Sequence, residues 1–253
     1  MGNLEGKRAL ITGGGQGLGY AIVEQLLAAG ADVAIHYLSS KPGAEELKAL
    51  AAKSGRRAEM FQADLTQETQ AAALVAAAAK FLGGLDILIN NAGDIIGRRR
   101  IEEVDGAFWE KVFDVNVTSM MWVTRAAVPE LIKAGQGSIV NLSSLAGRKG
   151  GHPGSLVYST AKGAVLTWTR ALANELGPKG IRVNAVAPGL ILGTRFHATH
   201  TTDESAKKTI EGIPLGRAGR PEDIARAVVY LASEYDGFIT GATLDINGGV
   251  YAA

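Results

Sequence analysis

Cysteine is missing from the 253 residues of this sequence, which excludes disulfide bonds, thiol catalysis and thiolate metal ligands. The formal net charge is only +1, so neither a basic field for nucleic acid nor an acidic tail is present. No apolar run approaches the roughly 18 to 20 residues that cross a membrane, and the N-terminus lacks an apolar signal core. We therefore expect a soluble, cytoplasmic protein that acts on a small molecule and has no nucleic-acid or membrane partner.

Histidine is also scarce, and its distribution does not favour metal binding. None of the four histidines has a carboxylate partner at ligand spacing: His36, His152, His197 and His200. His197 and His200 are three residues apart, but in a polar loop such residues more often contact substrate or solvent than a metal. We expect no metal site.

Short apolar runs rich in Val, Ile and Leu alternate with longer helical stretches. The runs predict seven strands: Arg8–Thr12, Asp32–Tyr37, Ala58–Gln62, Leu85–Asn90, Ser138–Leu142, Arg182–Val186 and Thr243–Ile246. The stretches between them predict helices: Leu18–Ala29, Gly43–Lys53, Gln67–Phe81, Phe108–Lys133, Val157–Leu176 and Glu222–Ser233. This order predicts an α/β fold, a doubly wound parallel sheet of seven strands in a single domain over residues 1–253. The polar segment Gly193–Gly219 breaks the alternation and is interpreted as a lid over a site, so we place a lid around residues 190–219.

Tyr158 and Lys162 are four residues apart on a predicted helix, which places their Cβ atoms on one face and about 6 Å apart. A free phenol has a pKa of about 10, so acid–base use near neutral pH needs a shift of roughly 3 units. A neighbouring ammonium group supplies a shift in that direction. Taken alone, the spacing is equally typical of an exposed helix pair.

A glycine-rich turn, Thr12–Gly19, follows the first predicted strand and precedes a helix. Glycines in this position let backbone N–H groups and the helix N-terminus approach a pyrophosphate. The alternative is a tight turn with a purely structural purpose.

The spacing Gly-x3-Gly-x-Gly of that turn resembles the short-chain dehydrogenase/reductase family, and further resemblances follow along nearly the whole chain. The other matching motifs are Asp64-Leu65, Asn90-Asn91-Ala92-Gly93, Asn116, Asn141 to Gly147, Tyr158-x3-Lys162 and Pro188-Gly189-Leu190-Ile191-x2-Thr194. The resemblance implies a Rossmann fold with a nicotinamide cofactor. The cofactor-binding residues that it implies are Gly13, Gly15, Gln16, Gly17, Leu18, Gly19, Tyr37, Ser39, Ser40, Asp64, Leu65, Asn91, Ala92, Gly93, Tyr158, Lys162, Pro188, Gly189, Ile191 and Thr194.

Four catalytic roles are also implied by the resemblance. Tyr158 exchanges the hydroxyl proton, Lys162 lowers the Tyr158 pKa and binds the nicotinamide ribose, Ser144 orients the substrate oxygen, and Asn116 holds a water that links Lys162 to solvent. Gly147 marks Ser144 rather than Ser143 as the active serine, and the spacing from Ser144 to Tyr158 implies a one-residue insertion within residues 148–156. In isolation, a serine that caps a turn and an asparagine that satisfies a kinked helix are the plainer interpretations.

The cofactor preference depends on the end of the second strand. Many NAD users carry an acidic residue there for the ribose 2′-hydroxyl, whereas this chain has Tyr37-Leu38-Ser39-Ser40-Lys41. Ser39, Ser40 and Lys41 suit a 2′-phosphate, although Gln16 stands where many NADP-preferring relatives have a basic residue. We expect NADP(H), with NAD(H) as the alternative; a solvated turn that begins a helix is the simpler explanation of these residues.

Basic residues in the loops after several strands favour an anionic substrate. They are Arg98 to Arg100, Arg148, Lys149 and Arg195, with His152, His197 and His200, and the substrate-binding residues that we expect are Ser144, Arg148, His152, Arg195 and His197. The start of the lid resembles relatives that act on sugars, sugar acids or keto-uronates. Solvated loop charges or a subunit contact are the alternative for Arg98 to Arg100.

Two other functions stay open. The first is reduction of 3-oxoacyl thioesters on an acyl carrier protein, although one of the two basic docking positions of those relatives falls near Gly135 and the other on Lys179. The second is a catalytically silent NADP-binding scaffold or sensor subunit. The resemblance also implies a homotetramer that pairs the helices predicted at Phe108–Lys133 and Val157–Leu176.

Overall fold

A computed structural model describes residues 3–194, 199, 202–233 and 237–252. Its centre is a sheet of seven parallel strands: β1 (Arg8–Ile11), β2 (Asp32–Tyr37), β3 (Ala58–Gln62), β4 (Ile87–Asn90), β5 (Gly137–Leu142), β6 (Ile181–Pro188) and β7 (Thr243–Ile246). The strand order is β3-β2-β1-β4-β5-β6-β7. Within the described part of the chain, the α-helices are α1 (Gly17–Ala28), α2 (Lys41–Lys53), α3 (Glu68–Leu82), α4 (Gly106–Phe113), α5 (Ser119–Lys133), α6 (Leu145–Lys149), α7 (Leu156–Leu176), α8 (Asp203–Glu211) and α9 (Pro221–Ala232). The predicted doubly wound Rossmann fold is confirmed.

Helices cover both faces of the sheet, so its central strands are apolar on both sides. Successive side chains of a strand point to opposite faces. Ile11 therefore joins the core under α1 and α9, while Leu10 joins the core under α3, α5 and α7. In β4, Leu88 similarly faces the second core.

The order of the strands reverses between β1 and β4. β1 pairs with β2 on one side and with β4 on the other, so the loops after β1 and β4 diverge at the carboxyl edge of the sheet. In open α/β sheets, such a divergence forms the crevice in which ligands bind.

The long helix expected over Phe108–Lys133 is interrupted. α4 ends at Phe113, a π-helical turn spans Asp114–Thr118, and α5 begins at Ser119. π-turns inside helices are frequent at functional sites, and Asn116 lies within this one. The periodicity of the sequence does not reveal it because the chain continues along the same helical path.

α8 lies inside the polar segment Gly193–Gly219, which was interpreted as a lid. Thr202 caps it by accepting a hydrogen bond from the Ser205 backbone N–H at 3.2 Å. Of its nine residues only Ala206 is buried, which is why no apolar period marks it in the sequence. Among the described residues, no helix is sufficiently long and apolar to cross a bilayer.

Candidate active site

A cavity of about 1280 Å³ lies along the carboxyl edge of the sheet, at the divergence of β1 and β4. The loops after β1 to β6 contribute to its walls. Most of the expected site residues line it: Gly13, Gln16, Gly17, Leu18, Gly19, Ser39, Ser40, Asp64, Leu65, Asn91, Ala92, Gly93, Ser144, His152, Tyr158, Lys162, Pro188, Gly189, Ile191 and Thr194. The structure thus brings together residues that are up to about 180 positions apart in the sequence.

The glycine turn leaves the start of α1 open toward this cavity. Gly13 and Gly17 have positive φ angles of 64° and 57°, which glycine adopts without strain. Gln16 precedes α1 without a side-chain cap, and the first helical turn has no acidic residue. A Cβ on Gly19 would lie 2.0 Å from the Gly13 carbonyl oxygen, so the close packing of the turn also requires glycine there. Uncapped N–H groups at a positive helix end fit a phosphate group.

Thr12 connects the turn after β1 with the turn after β4. Its Oγ1 accepts hydrogen bonds from the backbone N–H groups of Asn91 and Ala92, both at 3.0 Å. The Asn91 side-chain amide donates to the carbonyl oxygens of Thr12 and Gly13, both at 2.9 Å. These bonds fix the two diverging loops against each other. Thr12 was absent from the predicted site, although it stands in the glycine-turn motif.

Tyr158 and Lys162 extend from α7, and Ser144 faces Tyr158 from the start of α6. The hydroxyl groups of Ser144 and Tyr158 are hydrogen-bonded, and Lys162 Nζ lies 5.8 Å from the centre of the Tyr158 ring. Lys162 is 4% exposed and its Nζ donates to the Leu142 carbonyl oxygen at 2.9 Å. All three residues line the cavity.

The pKa of Tyr158 differs in direction from the expectation. Burial raises the pKa of Tyr158 to about 12, the hydrogen bond with Ser144 opposes that rise, and the Asp94 charge adds to it. Burial lowers the pKa of Lys162 to about 8, against the raising effect of Asp94. Desolvation of the phenol is therefore the largest effect on the Tyr158 pKa, and Lys162 Nζ is hydrogen-bonded to the Leu142 carbonyl oxygen.

Asn116 lies behind the cavity wall instead of lining it. Its side-chain amide donates to the carbonyl oxygens of Asp94 at 2.6 Å and Val112 at 2.9 Å, and its Oδ1 accepts from the Asp94 N–H at 3.2 Å. A Cβ on Gly93 would lie 2.7 Å from Asn116 Oδ1 and 3.0 Å from Lys162 Nζ. Asn116 thus holds the loop after β4 beside Lys162, through contacts with the backbone.

The two serines of the β5–α6 turn have different surroundings. Ser143 is buried, and its hydroxyl donates to the Lys162 carbonyl oxygen at 2.8 Å. Ser144 caps α6 by accepting a hydrogen bond from the Ala146 N–H at 3.1 Å. Ser143 therefore ties the turn to α7, while Ser144 combines its capping bond with the contact to Tyr158.

Arg148 does not line the cavity, contrary to the expectation of a substrate contact. Its guanidinium group lies 3.0 Å from Asp245 Oδ1 and donates to the Thr243 carbonyl oxygen at 3.4 Å, with both members of the pair largely buried. The next residue, Lys149, lines the cavity instead. The turn of α6 between adjacent residues is the reason, since it directs them to different sides.

Replacing Arg148 with Met should therefore lower stability by about 2 kcal/mol, because Asp245 loses its partner in a partly buried position. The substrate KM should stay near the wild-type value. Lys149→Met is the matched control and should do the reverse, raising the KM of an acidic substrate without a change in melting temperature. A raised KM in the Arg148 variant with unchanged melting temperature would contradict the structural role.

Two expected cofactor residues also lie elsewhere. Tyr37 is buried in the core, and its neighbours His36 and Leu38 line the cavity in its place. Gly15 packs against Ser40, where a Cβ on Gly15 would lie 2.4 Å from the Ser40 carbonyl oxygen.

Of the expected substrate-site and lid residues, Arg195, His197 and His200 fall outside the described residues. The lining residues that we did not predict include Thr66, Asp94, Ile96, Glu110, Lys111, Ser155, Ser205, Thr209, Ile213 and Val250. Ser205 and Thr209 lie on α8, and they were not predicted because the sequence of this helix shows no apolar period. In the part of the chain that the structure describes, no three acidic or histidine side chains are arranged as metal ligands.

Residues 13–251 match the family described as enoyl-(acyl carrier protein) reductase. The chain is 41% identical to an uncharacterised oxidoreductase of Methylorubrum extorquens, over 99% of this chain and 100% of that protein. It is 37% identical to 2-(S)-hydroxypropyl-CoM dehydrogenase 3 of Xanthobacter autotrophicus, over 96% and 95% of the two chains. With the 3-oxoacyl-(acyl-carrier-protein) reductase of Chlamydia muridarum it shares 35% identity over 98% of both.

Solved structures agree with these relatives. A short-chain dehydrogenase from Burkholderia cenocepacia in complex with NADP has a TM-score of 0.91 and 34% identity, and the match covers 99% of this chain and 100% of that one. An NADH-dependent reductase, A1-R′, responsible for alginate metabolism, has a TM-score of 0.90 and 33% identity, with 99% of both chains covered. With its fold, glycine turn and Ser144–Tyr158–Lys162 cluster in agreement, this chain belongs to the short-chain dehydrogenase/reductase family, oxidoreductases that act on CH–OH and C=O groups.

Proposed function

We propose that this protein interconverts a carbonyl compound and a secondary alcohol with a nicotinamide dinucleotide, through Ser144, Tyr158, Lys162 and Asn116. The observation that carries the proposal is one continuous cavity that is lined both by the open N-terminus of α1 and by the hydrogen-bonded pair of Ser144 and Tyr158. When bound, the cofactor supplies the hydride to the carbonyl carbon or accepts it from the alcohol. Steady-state assays with both cofactors, in both directions, test the proposal.

The chain's own residues handle the proton. During reduction the substrate oxygen gains negative charge, and the hydroxyl groups of Ser144 and Tyr158 donate hydrogen bonds to it. Tyr158 then transfers its proton to that oxygen as the general acid. The Lys162 ammonium stabilises the phenolate that remains, because opposite charges at close range favour the ionised form. Asn116 positions the Lys162 ammonium group by holding the backbone of Asp94 beside it.

The pH dependence of alcohol oxidation is expected to respond to Asp94. Its negative charge raises the pKa of both Tyr158 and Lys162, so Asp94→Asn should lower both. Since oxidation uses the phenolate as base, the pH of half-maximal rate should move toward acid. The measurement is kcat/KM for the alcohol across the pH range.

Glu110→Gln serves as the control for that experiment. Glu110 also lines the cavity, but its charge does not contribute to the pKa of Tyr158 or Lys162. Its pH profile should stay with the wild type. An alkaline displacement in the Asp94 variant would contradict the assigned electrostatics.

NADP(H) is the cofactor that we favour, with NAD(H) as the alternative. Leu38, Ser39 and Ser40 line the cavity after β2, and no carboxylate stands there to repel a 2′-phosphate. The Burkholderia relative binds NADP, whereas the alginate-related reductase depends on NADH. Because these two relatives use different cofactors, the support for NADP(H) comes from the side chains of the turn after β2.

Ser39→Asp should reduce kcat/KM for NADPH by about tenfold or more, because a carboxylate beside the 2′-phosphate adds charge repulsion. The value for NADH should hold or improve. Ser39→Ala removes the hydroxyl without adding charge and should cost only a few-fold. A wild-type enzyme that prefers NADH would overturn the proposed preference for NADP(H), but it would not contradict the proposed oxidoreductase activity.

A small polar, acidic carbonyl compound of the sugar-acid or keto-uronate type is the substrate that we favour. Lys149, Arg98 and His152 line the cavity. The reductase responsible for alginate metabolism is a solved structure similar to this chain. The alternative, a 3-oxoacyl thioester, draws on the Chlamydia relative. Parallel assays with keto-uronates, ketoses and 3-oxoacyl thioesters separate these classes, and turnover of the thioesters alone would overturn the acidic substrate.

We also infer a cytoplasmic homotetramer that pairs α4–α5 and α7. Trp109 on α4, stacked on Phe113 at 4.8 Å, is 40% exposed, and Leu156 on α7 is 47% exposed. Large apolar side chains exposed on the paired helices support the assembly, because a second copy would bury them. Light scattering coupled to size-exclusion chromatography measures the mass, and a monomer would overturn the inference.

A further inference from the structure

His36 forms the floor of the cavity where the glycine turn meets the end of β3. It is the residue before the last of β2 and is 2% exposed. The Gly13 N–H donates to its Nδ1 at 3.0 Å, and the Gly14 N–H donates to its carbonyl oxygen at 2.8 Å. On the other side, its Nε2 lies 3.0 Å from the carbonyl oxygen of Ala63. A single residue thus spans the two loops that the cofactor site brings together.

These partners allow only one form of the imidazole. A backbone N–H can only donate, so Nδ1 must accept the bond from Gly13 and cannot carry a proton. The proton of the neutral ring is therefore on Nε2, from which it is donated to the Ala63 carbonyl oxygen. A protonated ring would place the Nδ1–H against the Gly13 N–H, and that hydrogen bond would be lost.

The charges around the ring are few. Burial lowers the pKa of His36, while Asp64, one residue beyond Ala63, raises it. The Asp64 carboxylate also accepts hydrogen bonds from the N–H of Thr66 at 3.0 Å and from its hydroxyl at 2.7 Å. The glycine turn, residues 12–19, has no charged side chain, and the only charged residue of β1, Arg8, begins the strand at its far end.

We propose that His36 is a positioning residue for the dinucleotide. Its side chain holds the glycine turn in register with the loop after β3, and it does so only as a neutral imidazole. It acts through Gly13 and Ala63, away from the reacting atoms. The inference rests on the proposed function, since the glycine turn is the surface on which the pyrophosphate would bind. Its consequence is that dinucleotide affinity falls in acid as His36 gains a proton.

Two variants separate the hydrogen bond from its titration. In His36→Asn, the side-chain oxygen can accept from the Gly13 N–H and does not titrate in this range. In His36→Leu, the size is similar and no acceptor remains. Calorimetric titration with NADP⁺, from mildly alkaline pH down to the lowest pH at which the proteins stay folded, gives the affinity of each protein, and circular dichroism at each pH verifies that it is folded.

The leucine variant should bind NADP⁺ about tenfold more weakly than the wild type at alkaline pH, because one N–H of the turn loses its acceptor. The asparagine variant should bind within a few-fold of the wild type there. On acidification the wild type should lose about tenfold more affinity than the asparagine variant, whose profile records the titration of the ligand itself.

Superimposable pH profiles for the wild type and the asparagine variant would overturn the titration of His36. Wild-type affinity in the leucine variant would overturn its positioning role. A wild-type protein that fails to bind NADP⁺ or NAD⁺ even at alkaline pH would overturn the proposed function, whereas binding with a flat profile would remove only the present inference.

Discussion

Replacing Tyr158 with phenylalanine should lower kcat by about a thousandfold, with little change in cofactor affinity. Loss of a positioned general acid or base costs between about a hundred- and ten-thousandfold, and Tyr158 is the one proton donor among Ser144, Tyr158 and Lys162 that our mechanism assigns to the substrate oxygen. The phenyl ring keeps the packing of the residue. The rate of NADPH consumption with the best substrate of the panel measures the effect, and calorimetry measures cofactor binding.

Ser159→Ala is the matched control for this substitution. Ser159 is the next residue on α7, and its buried hydroxyl has no hydrogen-bond partner among the described residues. Removing it should leave kcat near the wild-type value. If the phenylalanine variant kept most of the wild-type rate, Tyr158 would not be the acid. If the wild type bound cofactor without turnover of any carbonyl compound, the silent scaffold would become the better description.

The strands and the shared edge of the sheet were predictable because they depend on local pattern. β2, β3 and β7 have the predicted bounds, since each is a short run between clear turn residues. Carboxyl ends of parallel strands meet at one edge, so motifs that follow different strands converge. The family resemblance implied that Gly13, Asn91 and Tyr158 belong to one site, and the structure places all three along one cavity.

Side-chain direction and electrostatic balance were not predictable in the same way. Loop position alone placed Arg148 beside the substrate, but its partner Asp245 is 97 residues away in the sequence. The direction of the Asn116 side chain was not predictable either, because the π-turn that contains it does not alter the apolar period of the sequence. The direction of the Tyr158 pKa depends on desolvation by the assembled walls, which the Tyr158–Lys162 spacing does not describe.

The contact between α6 and α7 gives the second large expected effect, at Gly147. A Cβ there would lie 2.6 Å from the Lys162 carbonyl carbon, 2.7 Å from its oxygen and 2.8 Å from the Gly163 nitrogen. All three are backbone atoms, so in Gly147→Ala it is α6 that has to move. The displacement would stretch the bond from the Ser143 hydroxyl to the Lys162 carbonyl oxygen and separate Ser144 from Tyr158. We expect a loss of about 1 to 3 kcal/mol in stability and about a hundredfold in kcat.

Gly163→Ala provides the control from the opposite side of the same contact. A Cβ on Gly163 would lie 3.5 Å from the Gly147 carbonyl oxygen, an ordinary contact distance. Because Gly163 lies inside α7, alanine should stabilise the helix by up to about 1 kcal/mol and leave kcat unchanged. Thermal unfolding and kcat, measured on both variants, test the geometry, since a general intolerance of α7 would affect both glycines alike. A Gly147 variant with wild-type kcat would show that the approach of α6 to α7 does not set the position of Ser144.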